Sequence, residues 1–336
     1  MMSPKIKNEA VVDLLQKKKS AFVSGTEIAG ALGVSRAAVW KKINRLKKSG
    51  YTIEASRAKG YRLTEVPGLS IEEIRNALSG RPRIIGGEII FYDTVSSTNT
   101  IAAELAGKAS SGGEGCTEGT VIIADGQTGG RGRRGRAWVS PPGKNVYMSI
   151  IVTPGVPPVQ AAVLTLMTAV ACASAIRRLS PVPVSIKWPN DLMVSDRKLG
   201  GILTEIKADM DRISYAVIGI GVNINLEVDD APDDIRSIAT SLKYETGRPQ
   251  SRTKYAIEIL DEMEKWYGIF MKKGKRPVLE EWLRLTSTIG KTVNVTIGDT
   301  LLTGTAEKIN DEGMLMLRLS DNSLKVISSG DVTVLR

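Results

Sequence analysis

Ala124-Asp-Gly-Gln-Thr-Gly-Gly-Arg-Gly-Arg-Arg-Gly-Arg-Ala-Trp138 is the most informative stretch of this 336-residue chain. Its arginines alternate with glycines, so guanidinium forks that grip oxygens in pairs stand on a backbone whose N–H groups can approach an anion closely. Arginine–glycine text also occurs in disordered RNA-binding tracts, but there it repeats and lies away from packed strands. Here the run is single, and apolar runs suited to strands flank it at 121–124 and 146–152. The segment therefore predicts an anion-cradling loop held between two strands.

Outward from this loop the chain alternates. Further strands are expected at 84–91 and 184–188, with a paired set at 192–206 and 214–225 around Gly200-Gly201; helices are expected at 70–78, 98–106, 159–179 and 254–272. Antiparallel hairpins mixed with helices predict an α+β catalytic domain with a mixed sheet, not a doubly wound parallel one. The last 50 residues change texture. Short alternating runs at 292–297, 301–309, 314–319 and 324–327, split by Gly298-Asp299 and Asp321-Asn322, predict a small SH3-like β-barrel.

Toward the amino terminus, helices are expected at 7–19, 26–33 and 35–48, the second capped by Thr26, followed by a hairpin over 51–63 with a basic tip. Val39, Ile43 and Leu46 fall on one helical stripe. The opposite face presents Ala37, Ala38, Lys41, Asn44, Arg45 and Lys48, small at its start and basic along its length. That is what a recognition helix requires, because small residues let the backbone approach the major groove while longer side chains reach bases and phosphates. A winged helix-turn-helix over 1–65 follows, then the α+β domain over 66–283 and the barrel over 284–336.

Charge supports this division. Of 46 Lys plus Arg and 36 Asp plus Glu, residues 1–62 hold 14 and 4, and the rest hold 32 and 32. A basic head on a neutral body is the pattern of one small domain meeting a polyanion, against the alternatives of a solvated face or a protein-interaction module. The DNA-contact candidates are Ser35, Arg36, Ala37, Ala38, Lys41, Asn44, Arg45, Lys48, Arg57 and Lys59. The sequence contains no histidine, which excludes imidazole general-base catalysis, Ser-His-Asp triads and His-ligated zinc. Cys116 and Cys172 match no metal spacing and point to a reducing, cytoplasmic setting. Residues 1–7 lack the apolar core of a signal peptide, and the weakly polar run 159–176 is expected as a buried helix, with no membrane partner.

Two more clusters carry chemistry. In Ile186-Lys-Trp-Pro-Asn-Asp-Leu192, Lys187 is expected at a strand end, Pro189 ends the pairing and Asn190-Asp191 turn the chain. A lysine there could meet a carboxylate or phosphate, although such lysines are more often surface residues. The glycines of Gly219-Ile-Gly-Val-Asn223 suggest close approach of something flat, with plain packing as the even alternative.

Ser97-Thr98-Asn99, the Gly-Gln-Thr-Gly-Gly-Arg-Gly-Arg-Arg-Gly-Arg run, Lys-Trp-Pro-Asn-Asp, Arg197-Lys198-Leu-Gly-Gly-Ile-Leu and Gly-Ile-Gly-Val-Asn, in this order, resemble the biotin protein ligase family over nearly the whole chain. With the winged helix, the resemblance is to bifunctional members that also repress biotin genes. It implies that biotin and ATP give biotinyl-5′-AMP, which a lysine of a biotin carboxyl carrier protein then attacks, and that biotinyl-AMP acts as co-repressor, promoting a homodimer on operator DNA. A histidine-free protein suits this chemistry, because both nucleophiles come from substrates.

By the same resemblance, Ser97, Thr98, Asn99, Gln127, Gly130, Arg131, Gly132, Arg133, Lys187, Gly219 and Gly221 are the biotin-site candidates. Arg134, Arg136, Trp138, Lys187, Asn190 and Asn223 are the ATP-site candidates, and Lys187, Arg133 and Arg131 the catalytic ones. Magnesium is expected on the nucleotide phosphates, with Asp191 a weak candidate ligand. Two departures stand out: family members often carry His where Gly126 stands and Asp where Ser96 stands. The stretch 107–119 is expected to be mobile without ligand. A biotin-sensing regulator without ligase activity and a lipoate ligase are the alternatives.

Overall fold

The structure is a computed structural model that describes residues 8–17, 21–48, 51–65, 68–80, 82–110, 115, 117–230 and 232–335. Cys116, Pro67, the segment 1–7, the expected last turn of the first helix and part of the stretch 107–119 lie outside the described residues.

Three helices, α1 (Asn8–Lys17), α2 (Gly25–Leu32) and α3 (Arg36–Lys48), precede a hairpin of β1 (Thr52–Ser56) and β2 (Gly60–Glu65). Val11, Leu15, Ile28, Val39, Ile43, Leu46, Ile53 and Leu63 form their own buried cluster. The expected stripe of α3 is thus its core face. The cap of α2 is Ser24, not Thr26: the Ser24 hydroxyl accepts from Glu27 N at 3.0 Å, starting the helix one residue earlier. The wing is stitched to the segment before α2 by paired backbone bonds between Val23 and Tyr61. Gly60 at the wing's turn has φ +99°, and a Cβ there would lie 2.1 Å from Val23 O, so only glycine serves.

The central part runs α4 (Ile71–Leu78), β3 (Ile89–Val95), α5 (Thr98–Ser110), β4 (Val121–Gln127), β5 (Val146–Val152), α6 (Ala161–Leu179), β6 (Val184–Lys187), β7 (Asp191–Val194), β8 (Arg197–Ala208), β9 (Ile213–Val222), α7 (Asp233–Arg236), α8 (Leu242–Thr246), α9 (Arg252–Lys273) and α10 (Arg276–Leu285). Its seven strands are ordered β3-β4-β5-β9-β8-β7-β6, with β3 and β4 parallel and every other pair antiparallel. This is the expected mixed sheet.

Two strand expectations need correction. The strand predicted at 84–91 begins only at Ile89, because Gly86 turns the chain at φ +80° and the N–H groups of Ile84 and Ile85 donate to the Glu264 carboxylate instead of to a ladder. The strand predicted at 192–206 is two strands, folded back at Ser195, whose φ is +52°. The helix α10 lay outside the expected elements, and its last turn extends past residue 283.

The helix expected at 159–179 is α6. The span Pro158–Leu179 is long and apolar enough to cross a membrane, yet most of its apolar stretch is buried in the protein. Its small residues Ala169, Ala171, Ala173 and Ala175 let it pack closely on α9, α10 and the sheet. The opposite face of the sheet carries α5 over Ala102, Ala106, Ile122, Ile151 and Val217, and beside α5 it is open.

The C-terminal strands β10 (Thr292–Ile297), β11 (Thr300–Ile309), β12 (Leu315–Leu319), β13 (Leu324–Ile327) and β14 (Asp331–Val334) form an antiparallel sheet ordered β13-β12-β11-β10-β14. The short β14 was not foreseen. Its partner is β10, and it brings the chain end back toward the central sheet. Val293, Val295, Leu315, Leu317 and Val332 share one hydrophobic cluster with Leu166, Trp188 and Trp282. Trp188 seals the joint: its N–H donates to Thr288 Oγ1 at 2.9 Å and its indole N–H to Gly313 O at 3.0 Å.

Candidate active site

A cavity of about 320 Å³ opens on the sheet face beside α5. Its floor is polar because the start of α5 meets the end of β4 and the middle of β5 there. Thr98 N donates to Gln127 Oε1 at 2.9 Å, and Gln127 Nε2 donates to Ser140 Oγ at 2.9 Å. Ser149 Oγ, buried in β5, stands 2.7 Å from Thr98 Oγ1 and 2.6 Å from Asn99 Oδ1. Its single hydrogen goes to the amide oxygen, a pure acceptor. Asn99 Nδ2 then donates to Glu205 Oε2 at 2.7 Å. A heterocycle with amide-like edges would find both donors and acceptors held in place on this floor.

The flat objects that the glycines of β9 accommodate are the protein's own side chains. A Cβ at Gly219 would lie 2.2 Å from Asn99 Oδ1, and one at Gly221 would lie 2.7 Å from Trp138 Nε1. Both glycines also line the cavity. Trp138 Nε1 is buried without a hydrogen-bond partner.

The arginine–glycine loop forms the wall. It closes on itself like a narrow hairpin, with Trp138 N donating to Gly130 O at 2.8 Å and Gly132 N to Arg136 O at 2.7 Å. Gly130 is tightly enclosed: a Cβ would meet Trp138 O at 2.5 Å. Arg131 pairs with Glu205 at 3.3 Å, and Arg133 donates to Asn190 Oδ1 and Gly330 O, each at 3.2 Å. Burial lowers the pKa of Arg133, opposed by Asp331 and Asp191, while Arg134 and Arg136 also lower it. Arg134 and Arg136 both reach Asp331 of β14. Beside this wall Asp191 lies between two ammonium groups, 3.2 Å from Lys187 Nζ and 2.5 Å from Lys198 Nζ. Lys198 Nζ also stands 5.5 Å from the centre of a Trp138 ring.

Of the candidates read from sequence, Ser97, Thr98, Asn99, Gln127, Arg131, Gly132, Arg133, Arg136, Trp138, Lys187, Asn190, Asp191, Gly219, Gly221 and Asn223 line this cavity. Gly130 and Arg134 do not. Gly130 packs behind the wall, and Arg134 reaches Thr296 O and Asp331. Asn223 is engaged structurally, donating to Thr240 O and accepting from Asn145. In the amino-terminal unit Arg36, Ala37, Lys41, Arg45, Arg57 and Lys59 are exposed, Ala38 and Asn44 half-buried, and Ser35 caps α3 by accepting from Ala38 N. Lys48 closes that helix.

Sequence reasoning missed Ser149, Lys198, Glu205 and Asp331. Lys198 stood inside a quoted motif; the others lie in ordinary strand text and carry no local signal. Among the described residues no group of three or more His, Cys, Asp or Glu could hold a metal. Asp191, already flanked by two cations, does not fit the role of a dedicated magnesium ligand.

The Biotin/lipoate A/B protein ligase family matches residues 92–223, an HTH domain matches 7–62 and the Biotin protein ligase C terminal domain matches 288–335. "Bifunctional ligase/repressor BirA" of Bacillus spizizenii is 39% identical over 95% of this chain and 96% of its own length. The chain belongs to the bifunctional biotin protein ligase family. The protein of the same name from Escherichia coli is 31% identical over 93% of both chains. A solved structure, "Biotin protein ligase from Aquifex aeolicus in complex with biotin and ATP", superposes with a TM-score of 0.62 at 26% identity, covering 74% of this chain and 99% of that one. Against this family pattern the glycine at 126 has a local reason: a Cβ there would lie 3.1 Å from Pro142 Cβ, so any side chain requires Pro142 to shift by a few tenths of an ångström.

Proposed function

We propose that this biotin protein ligase joins biotin to a lysine of a biotin carboxyl carrier protein and also represses transcription, with biotinyl-5′-AMP as both intermediate and co-repressor. One observation carries the ligase reading: a single cavity combines a floor suited to an amide-like heterocycle with a wall of arginines and two lysines suited to phosphate.

In the first step an oxygen of the biotin carboxylate attacks the α-phosphorus of ATP and pyrophosphate leaves. In the second the carrier's lysine amine attacks the acyl carbon, an amide forms and AMP leaves. The protein supplies neither nucleophile. Its work is to hold the reactants together and to neutralise charge on the phosphoryl oxygens. Ser97, Thr98, Asn99, Gln127 and the 130–132 backbone are assigned to the ureido end of biotin. Arg131 and Arg133 are assigned to its carboxylate, and Lys187 to the carboxylate and α-phosphate. Lys198 joins Lys187 in this role, because the two ammonium groups flank the same carboxylate, Lys187 on Oδ2 and Lys198 on Oδ1 of Asp191. Arg134, Arg136 and Asn190 serve the phosphates, with Trp138 and Asn223 near the adenine. ATP enters as its magnesium complex, the metal riding on the phosphates.

The repressor role is assigned to α3 and the wing, and a homodimer formed on adenylate binding would join two such units on operator DNA. We assign the units to 1–65, 66–283 and 284–336. The cytoplasm is the inferred setting, where carrier and operator meet.

Incubation with biotin, ATP, magnesium and apo-carrier tests the ligase reading. Biotin should become covalently attached to the carrier; adenylate binding without transfer would make the protein a sensor alone. Competition by lipoate at equal concentration would overturn the choice of substrate.

A further inference from the structure

The helix α3 holds six Lys or Arg among its 13 residues and no Asp or Glu. In its middle stands Trp40, 58% exposed. At 100° per residue Trp40 lies about 95° from the buried stripe of Val39, Ile43 and Leu46, on the flank shared with Arg36, Ala37, Asn44 and Lys47. It is the one tryptophan so exposed among the described residues: Trp188, Trp266 and Trp282 are at most 8% exposed, and Trp138 is half-buried at the cavity. An exposed indole is not needed for the core of this unit, which is complete without it.

We propose that Trp40 is a DNA-contact residue, its ring lying against the deoxyribose and base edge along one wall of the groove that α3 enters. The charge around it selects the occupant, since cations at 36, 41 and 47 and the absence of any acidic side chain on the helix favour a polyanion over an apolar protein surface. An indole presents a flat apolar face to a sugar or to a thymine methyl, and its N–H can donate to a phosphate oxygen. The lysines and arginines supply attraction that salt weakens; Trp40 adds a component that salt leaves untouched. This inference rests on the assignment of the amino-terminal unit to DNA.

The test uses full-length protein with biotin, ATP and magnesium, and a fluorescent duplex of random sequence titrated across a series of salt concentrations. Trp40→Ala should weaken binding roughly tenfold at every salt concentration, leaving the slope of log K against log salt unchanged. Lys41→Ala should instead reduce that slope by about one. Acrylamide quenching of the Trp40 signal, assigned by difference from Trp40→Phe, should fall when duplex is added, and Trp40→Phe should retain most of the affinity. Unchanged binding by Trp40→Ala, or an indole that stays accessible in the complex, would overturn the proposal. So would protection of Trp40 by protein concentration alone, which would mark a surface between copies. If the wild-type protein fails to bind duplex at all, the DNA assignment itself is lost, a different failure from that of Trp40.

Discussion

Asp331 Oδ2, at the start of the last strand, lies 2.5 Å from Arg136 Nη2 and 3.2 Å from Arg134 Nη1. One carboxylate of the C-terminal sheet thus holds two arginines of the loop on which the central site depends. Arg136 is 69% exposed, so the pair contributes at most about 1 kcal/mol to stability. On the proposed assignment of Arg136 to phosphate, the pair would act as a competitor, because phosphate would have to take Arg136 from Asp331. Asp331→Asn should leave the melting temperature within a degree or two and lower KM for ATP by up to about fivefold. A rise in KM would instead show that Asp331 orders the loop for binding.

Gly219 has no room for a side chain. Alanine there should push Asn99 out of its bonds to Ser149 and Glu205, destabilising the fold by about 1–3 kcal/mol. Affinity for biotin, measured by calorimetry, should fall at least tenfold, with ATP binding much less affected. Unaltered biotin affinity would detach the Asn99 network from the biotin site.

Lys187→Ala and Lys198→Ala should each lower the rate of biotinyl-AMP formation by roughly 10²–10³, the loss typical of removing one group that stabilises developing charge. Far-UV circular dichroism and duplex binding should be retained. Pyrophosphate release at the wild-type rate by either variant would refute its assignment.

Tyr147, Tyr255 and Tyr267 are buried, and desolvation pushes each phenol above its ordinary value; Glu118 adds to this at Tyr267. The unfolded chain ionises these groups near pH 10 while the folded chain keeps them neutral, so their contribution is present below about pH 10 and is lost as pH rises through the raised folded values. Urea unfolding free energies should fall above pH 10 by up to about 1.4 kcal/mol per pH unit for each tyrosine. Absorbance at about 295 nm, where phenolates absorb, should show part of the eight tyrosines titrating only on unfolding. A single transition for all eight in the folded protein would contradict this.

Cys172 is fully buried in α6, and burial pushes its thiol up to about 12. In a Cys116→Ser background the native protein should resist iodoacetamide at pH 8 for hours and react within minutes in denaturant. Rapid native labelling would mean that α6 opens.

Local chemistry was legible in the chain before any tertiary contact was known. Helix stripes such as Val39, Ile43 and Leu46, the loop between two apolar strands, and the alternation of the last 50 residues each express a periodicity or backbone preference that a few neighbouring residues set by themselves. So the three-part architecture and most cavity residues could be named from text. Where the chain turned on one distant partner, local signals failed: Glu264 captures the N–H groups of Ile84 and Ile85 and delays the first strand of the central sheet. The same holds at the site. Asp331, Glu205 and Ser149 sit in unremarkable strand text, and only folding brings them against Arg136, Arg131 and Asn99. Composition could announce a cluster of cations, but which carboxylates restrain it depends on strand order and on a C-terminal sheet sharing its core with the central one. Such pairings arise from long-range packing, and no short stretch of residues encodes them.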